Sequence, residues 1–409
     1  MRRLTAPLVR CALVLGLLMA PVACEEPERD KVTIMVPWSG TEFKAFYAVV
    51  KDFERDHDVD IEPQVTRALT QQLDAAVAAD AEPDLAVLPS VGAIAGYREE
   101  GALRKLDVDT DAYAQPFRGL GMNDGDVYAV PVKADVKSLI WYDARVTPRP
   151  PGNWTALRSR SDTWCLGLES GPTSGWPGAD WIADILLADE GVGPYTAWAS
   201  GGTRWDGEPV EDAWTAWGDI VAGARKDAAT SNFRAAAEKM ARRQCSLSHG
   251  ALSAMAFEPD RVKDGGYTYV PSSREVLQVS ADFVGKFTEN ESADEFIEYL
   301  ASARAQQAWV NEPGFALSAD NEVTEYDNAT QGRIAALFRS PRHTLCFSAA
   351  DAMDPDVSAA FYRAVLNFTN GKRLLPLLEA LDRVQEQLGH ARAPSSPPPG
   401  PLCSHPDRP

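Results

Sequence analysis

The feature that most constrains the fold is the alternation of apolar runs with helical stretches between residues 32 and 89. Val32 to Val36 reads as a short strand, and Pro37-Trp38-Ser39-Gly40 breaks it. Ser39 or Thr41 can cap the next segment, where Phe43, Phe46, Tyr47, Val50 and Phe53 share one helical face. Val59 to Val65 alternates as a second strand and Leu69 to Ala79 reads as a helix. Pro83-Asp84 then opens the buried strand Leu85-Ala-Val-Leu88, which Pro89 ends. Strand, helix, strand, helix, strand predicts parallel βαβ units and an α/β class. Such sheets take ligands at the carboxyl ends of their strands, and both Trp38-Ser39 and Leu88-Pro89 fall there.

Further along, Asn123-Asp-Gly125 predicts a turn into a strand at Val127 to Val130, and Lys133 to Tyr142 reads as extended. Helices are expected over Ala179–Leu187, Phe233–Arg243, Glu291–Val310, Pro355–Thr369 and Leu374–Leu388. The stretch from Trp141 to Trp217 holds nine of the eleven tryptophans. From about Ala391 a Pro-rich tail, assigned to residues 390–409, reads as disordered or polyproline-like.

The amino terminus sets the compartment. Arg2-Arg3 is followed by an apolar run from Cys11 to Met19 and then by Pro21-Val22-Ala23-Cys24, a secretory leader whose core is too short to span a bilayer. Val22-Ala23-Cys24 looks like a bacterial lipobox, with Pro21 where leucine is usual. Cleavage after residue 23 would leave Cys24 to be lipidated, and two or more acyl chains anchor stably where one does not. The alternative is ordinary cleavage nearby with a free Cys24. Acidic residues 25–30 then form a tether. Loss of residues 1–23 removes three arginines and no acid, which takes the net charge from −19 to about −22. That charge argues against nucleic acid as a partner. Cys165, Cys245, Cys346 and Cys403 remain in an oxidising compartment, where an even count suggests bridges in any of three pairings.

No enzyme motif emerges. The five histidines form no metal-ligand spacing, and neither a phosphate-binding loop nor a G-x-G-x-x-G is present. In Gly167-Leu-Glu-Ser170-Gly the serine stands one place late for a nucleophile elbow. Asp107-Val-Asp109-Thr-Asp111 lacks the glycine and glutamate of a calcium loop, so it reads as a plain loop. Neither metal nor cofactor is expected. Aromatic residues in polar loops stand out instead: Trp38, Trp176 beside Asp180, and Trp205 beside Asp206. An indole face packs on the C–H side of a sugar ring while carboxylates and amides take its hydroxyls.

Taken in order, several segments resemble the extracellular solute-binding proteins of ABC transporters, and among them the carbohydrate group of α-glucoside type. They are Val36-Pro-Trp38-Ser-Gly-Thr-Glu42-Phe43, Pro83-Asp84-Leu-Ala-Val-Leu-Pro89, Val130 to Tyr142, Trp164 to Gly171, Ser174 to Asp184, Ser280-Ala-Asp282-Phe283 and Glu312-Pro-Gly314-Phe315. The resemblance implies a two-lobed, periplasmic-binding-protein-like (type II) α/β fold with the ligand between the lobes. It implies lobes of residues 31–135 plus 274–317 and of 136–273 plus 318–389, with hinge crossings near residues 133–136, 272–275 and 316–319. It implies a lobe-internal Cys165–Cys245 disulfide, worth about 4 kcal/mol in the chain-entropy model, and leaves Cys346 and Cys403 to pin the tail. Carried over, Trp38 and Trp176 become stacking platforms, Lys133 a hydroxyl donor and Asp180 a hydroxyl acceptor. Glu42, Arg67, Asp84 and Phe315 are second choices; Glu42 also reads as a first-turn helix charge and Asp84 as a brace for its strand. The family's glycine-rich turns are altered at Pro313-Gly314-Phe315 and Ser280-Ala-Asp282-Phe283. The implied function is capture of a carbohydrate by a monomeric, lipid-anchored receptor that delivers it to membrane permeases. The alternatives are a non-sugar solute, a sensory role, and a glycoside hydrolase using two carboxylates.

Overall fold

The computed structural model describes residues 29–148, 157, 164–222, 225–391 and 400–405. The leader, Cys24 and most of the tether lie outside them.

The opening alternation folds as expected. Strand β1 (Asp30–Val36) leads to helix α1 (Thr41–Asp56), β2 (Val59–Val65), α2 (Leu69–Ala78), β3 (Leu85–Leu88) and α3 (Val91–Glu99). β1 pairs in parallel with β2 on one side and β3 on the other. Pro63 is tolerated because β2 is the edge strand of this sheet. One face of α1 buries Phe46, Val49, Val50 and Phe53 on the sheet. A short helix, α4 (Phe117–Leu120), and the hairpin of β4 (Met122–Asn123) and β5 (Asp126–Val127) follow.

Two long strands organise the rest. β6 (Ala129–Val136) is followed by a small antiparallel sheet in which β7 (Leu139–Asp143) lies between β8 (Leu247–His249) and β9 (Tyr267–Pro271). β10 (Val276–Lys286) pairs antiparallel with β6 along most of its length. Its opposite edge changes partner. Residues 276–279 run parallel to β11 (Thr344–Phe347), whereas residues 283–286 run antiparallel to β3. The carboxyl ends of β3 and β11 therefore face each other across the middle of β10. The register shift between Asp282 and Phe283 falls at the same level, where a bulge re-aims side chains.

Three expectations are corrected. The helix expected over Glu291–Val310 is two helices, Glu291–Ala301 and Ala303–Val310. Extended Ser302 breaks it, and its hydroxyl caps the second helix by accepting from the Ala305 N–H. The Pro-rich tail is not wholly irregular: β12 (Cys403–Ser404) adds to the edge of β11, because Cys403 pairs with Cys346 in register and by a disulfide. Trp205, expected in a polar loop, is core rather than ligand surface, like most described tryptophans of its stretch. Trp141, Trp198, Trp205, Trp214 and Trp217 are fully buried. Trp198 meets Trp205 edge-on at 5.0 Å, and Trp205 meets Phe361 at 4.9 Å. Trp205 Nε1 donates to Gln385, which accounts for its place in a polar loop. The expected Cys165–Cys245 bridge is present. Among the described residues no helix is long and apolar enough to cross a membrane.

Candidate functional site

A cleft of about 260 Å³ opens at the level where β10 changes partner. Pro37 and Trp38 line it after β1, Pro89 after β3, and Asp351 after β11, so three strand ends converge on it. The helix Trp176–Glu190 contributes Trp176 and Asp180 from the other side.

Two lysines four residues apart organise its polar groups. Lys133, Asp135 and Lys137 all line the cleft, as alternation along an extended chain allows. Lys133 Nζ stands 3.0 Å from Glu42 Oε1, 3.6 Å from Asp135 and 3.7 Å from Asp282. Lys137 Nζ stands 3.0 Å from Asp180 and 2.8 Å from Asp351, and it donates to Ser348 Oγ at 3.3 Å. Burial opposes the charge on each ammonium, but the surrounding carboxylates outweigh it and hold both lysines above their ordinary pKa. Glu42 is also opposed by burial, yet Lys133 and Arg234 hold its carboxyl below the ordinary value. For Asp135 and Asp180 burial wins, and both are pushed up to about 6. Burial likewise raises Asp282, which accepts the Trp38 indole N–H at 2.8 Å.

The expected residues divide. Glu42, Arg67, Lys133, Trp176 and Asp180 all reach the cleft, and Arg67 donates to Ser39 there. Trp38 lines it but offers no open face: it is 3% exposed, wedged between Phe46 and Trp309. It is a wall rather than a platform. Asp84 lies at the other end of β3, where it accepts from Thr33 N–H, Thr33 Oγ1 and Thr288 Oγ1. It braces the strand and does not line the cleft. Phe315, 8% exposed, packs into the core and does not line the cleft either; its left-handed backbone (φ 60°) turns the chain after Gly314. The sequence reading missed Asp135, Lys137, Asp282, Asp351, Phe233 and Tyr362. The period-two spacing of Lys133, Asp135 and Lys137 could have found two of them. Asp282, Asp351, Phe233 and Tyr362 carry no local signal. Trp176 is partly exposed, edge-on to Phe233 at 5.2 Å and 5.8 Å from the Lys137 ammonium.

Serine, aspartate and histidine do meet nearby, but in the wrong order for nucleophilic catalysis. Ser138 Oγ donates to Asp184 and accepts the Gln278 N–H, while His249 Nε2 lies 2.7 Å from the other Asp184 oxygen. The acid stands between serine and histidine, and Ser138 is fully buried, so the histidine has no serine proton to take. Among the described residues no group of acids, histidines and cysteines has a metal-binding arrangement.

Residues 37–307 match the family model for the bacterial extracellular solute-binding protein. The chain belongs to that family. It is 28% identical over 390 residues to the alpha-glucosides-binding periplasmic protein AglE of Rhizobium meliloti, covering 83% of this chain and 84% of the relative. It is 24% identical over 410 residues to the osmoprotective compounds-binding protein GgtB of Synechocystis, covering 92% and 97%. The GacH receptor of Streptomyces glaucescens superposes with a TM-score of 0.66 at 16% identity, covering 89% of this chain and 98% of the receptor. The two-lobed fold of the family is thus the fold of this chain, and the cleft lies where its lobes meet.

Proposed function

We propose that this protein is the solute-capturing component of an ABC importer and that its ligand is a short neutral carbohydrate of the α-glucoside class. The observation that carries the reading is the cleft itself. A partly exposed indole, Trp176, stands beside a row of paired ammonium and carboxylate groups, which is what a sugar's apolar face and hydroxyls require. The kinship with AglE, an alpha-glucosides-binding protein, supports the same choice. The cavity lies just below the roughly 300–1,000 Å³ span of ligand pockets, which favours one or two sugar rings over longer chains. Glu42, Arg67, Lys133, Trp176 and Asp180 are the contacts we assign, with Asp135, Asp351 and Tyr362 added from the geometry. The lobes are proposed as residues 31–135 plus 274–317 and 136–273 plus 318–389, closing about β6 and β10. The mature chain is proposed to be a monomer held to the membrane's outer face by lipid on Cys24, handing its ligand to permeases; no catalytic step is assigned. The kinship with GgtB, an osmoprotective compounds-binding protein, favours a second reading, an osmoprotective solute.

Titration of the mature chain with glucose, maltose, trehalose, sucrose, maltotriose and glycine betaine tests both. Tryptophan fluorescence and thermal midpoint are read together. Ligand at a hundredfold over Kd adds about 2.7 kcal/mol of stability. A saturable shift with one sugar, lost in Trp176→Ala, is expected. A shift with glycine betaine alone moves the reading to the osmoprotective solute, and no shift at all overturns both.

A further inference from the structure

Arg234 stands outside the lysine-centred pairs yet reaches into the same network. It precedes the helix Ala235–Ala241. Its loop is fastened to the chain segment after Trp164: Glu169 N donates to Ser231 O at 2.9 Å, Phe233 N to Glu169 O at 3.1 Å, and Asn232 Nδ2 to Glu169 Oε2 at 2.9 Å. A Cβ on Gly167 would stand 2.3 Å from Asn232 O, so only glycine allows the loop this close. The Cys165–Cys245 bridge ties the far end of that helix to the same segment. The backbone of Arg234 therefore moves with the lobe that carries Trp176. Its guanidinium nevertheless donates to Glu42 Oε2, on α1 of the other lobe, while Glu42 Oε1 takes Lys133.

We propose that Arg234 is a positioning residue for capture, pairing with Glu42 across the cleft when the lobes close and parting from it when they open. Opening leaves Glu42 paired to Lys133, so no buried charge is orphaned and the latch can release reversibly. The assignment rests on the hinge-closing reading above. The test compares Arg234→Gln and Arg234→Lys with the wild-type mature chain. Release of the bound sugar, followed by stopped-flow fluorescence, is expected to be roughly two- to fivefold faster in Arg234→Gln, as for a partly exposed ion pair. Arg234→Lys restores most of the difference, and 1 M salt brings wild type toward the variant. The ligand-free radius of gyration, by small-angle scattering, is larger in Arg234→Gln. Unchanged release and unchanged radius overturn the proposal. If no sugar in the panel binds, the radius alone decides it, which separates its failure from that of the carbohydrate reading.

Independent residues on the opposite edge carry a second inference. Phe347 N donates to Leu402 O at 2.7 Å, Leu402 is 4% exposed, and Cys403 is bonded to Cys346 on β11. Three residues before Cys403, the backbone of Gly400 lies on α4: a Cβ there would stand 2.7 Å from Gly119 C. α4 belongs with the β3 half of β10, since the adjoining Gly121 packs on Ala129 and Phe283, whereas β11 belongs with the other half. We infer that residues 400–404 form a strap that joins the two halves across the hinge strands and limits how far they open. Gly400→Ala breaks the contact with α4 and leaves the disulfide and the β11 ladder in place. The double variant Cys346→Ser/Cys403→Ser frees the other end. Both are expected to enlarge the ligand-free radius of gyration, with a lowered thermal midpoint only in the cysteine pair. An unchanged radius in both, with the variants folded, overturns the strap.

Discussion

Lys133 and Lys137 sit four residues apart on one stretch of chain, and each is clasped by carboxylates, yet Glu42 beside the first and Asp180 beside the second behave differently. The partners of Lys133 come from α1, β6 and β10, and Glu42 keeps a second cation, Arg234. The partners of Lys137 come from the helices Trp176–Glu190 and Ala349–Ala352, and Asp180 has no second cation within ion-pair distance among the described residues. Glu42 is consequently held ionised, whereas burial pushes Asp180 up to about 6. Asp135, which shares Lys133 but meets no second cation, is pushed up to about 6 as Asp180 is, so Glu42 with its two cations is the carboxylate that stays charged. The difference lies in how many cations each carboxylate meets, not in burial, since both clusters are enclosed.

The largest effect expected from this contrast is on stability. Lys137→Met orphans Asp180 and Asp351 and should cost about 3–5 kcal/mol. Lys133→Met should cost less, because Glu42 retains Arg234 and Asp282 retains the Trp38 indole. Denaturant midpoints check this, and equal losses would break the comparison. Next in size, Asp84→Ala removes a carboxylate that braces β3 far from the cleft. It should cost about 1–3 kcal/mol while leaving sugar affinity unchanged; altered affinity would show that the cleft carboxylates are not distinct. Trp176→Ala should weaken sugar binding about tenfold, roughly 1.4 kcal/mol, with little change in midpoint.

The smallest effect is pH dependence. The folded-state values of Asp135 and Asp180, about 6, lie above the ordinary 3.8, so the native state binds these protons more tightly than the unfolded chain. Their contribution to stability is fully present below about pH 3.8 and is lost as pH rises through 6. Glu42 has the opposite sign and acts only at lower pH, as its lowered group protonates. Between pH 7 and 5 the ligand-free midpoint should therefore rise by a few degrees, and Asp180→Asn should flatten the rise. Sugar affinity should fall over the same interval as Asp180 ceases to accept as a carboxylate.

Much of the fold was legible in residue order. The strand and helix periods of residues 32–88 predicted the parallel units because each element buries one face, and a buried face leaves its period in the sequence. The helix break at Ser302 was missed because a single capping serine gives no apolar signal. The loop position of Trp38 suggests a sugar platform, but its ring is buried against Phe46 and Trp309, and neither contact leaves a trace in the residues beside it. Trp176 lines the cleft, since the Gly175 turn sets it at a helix start.

By itself the sequence determined the alternation of elements, the cysteines available for bridging and six of the groups that line the cleft. These follow from periodicity, composition and local turn chemistry, which act over a few residues. Tertiary structure alone decided which carboxylate meets which lysine, which tryptophans are core, and that Arg234 reaches Glu42 across 192 positions of chain. Those outcomes depend on where β10 changes partner and which strand ends it brings together. Contacts between distant segments are set by packing, so no local pattern encodes them.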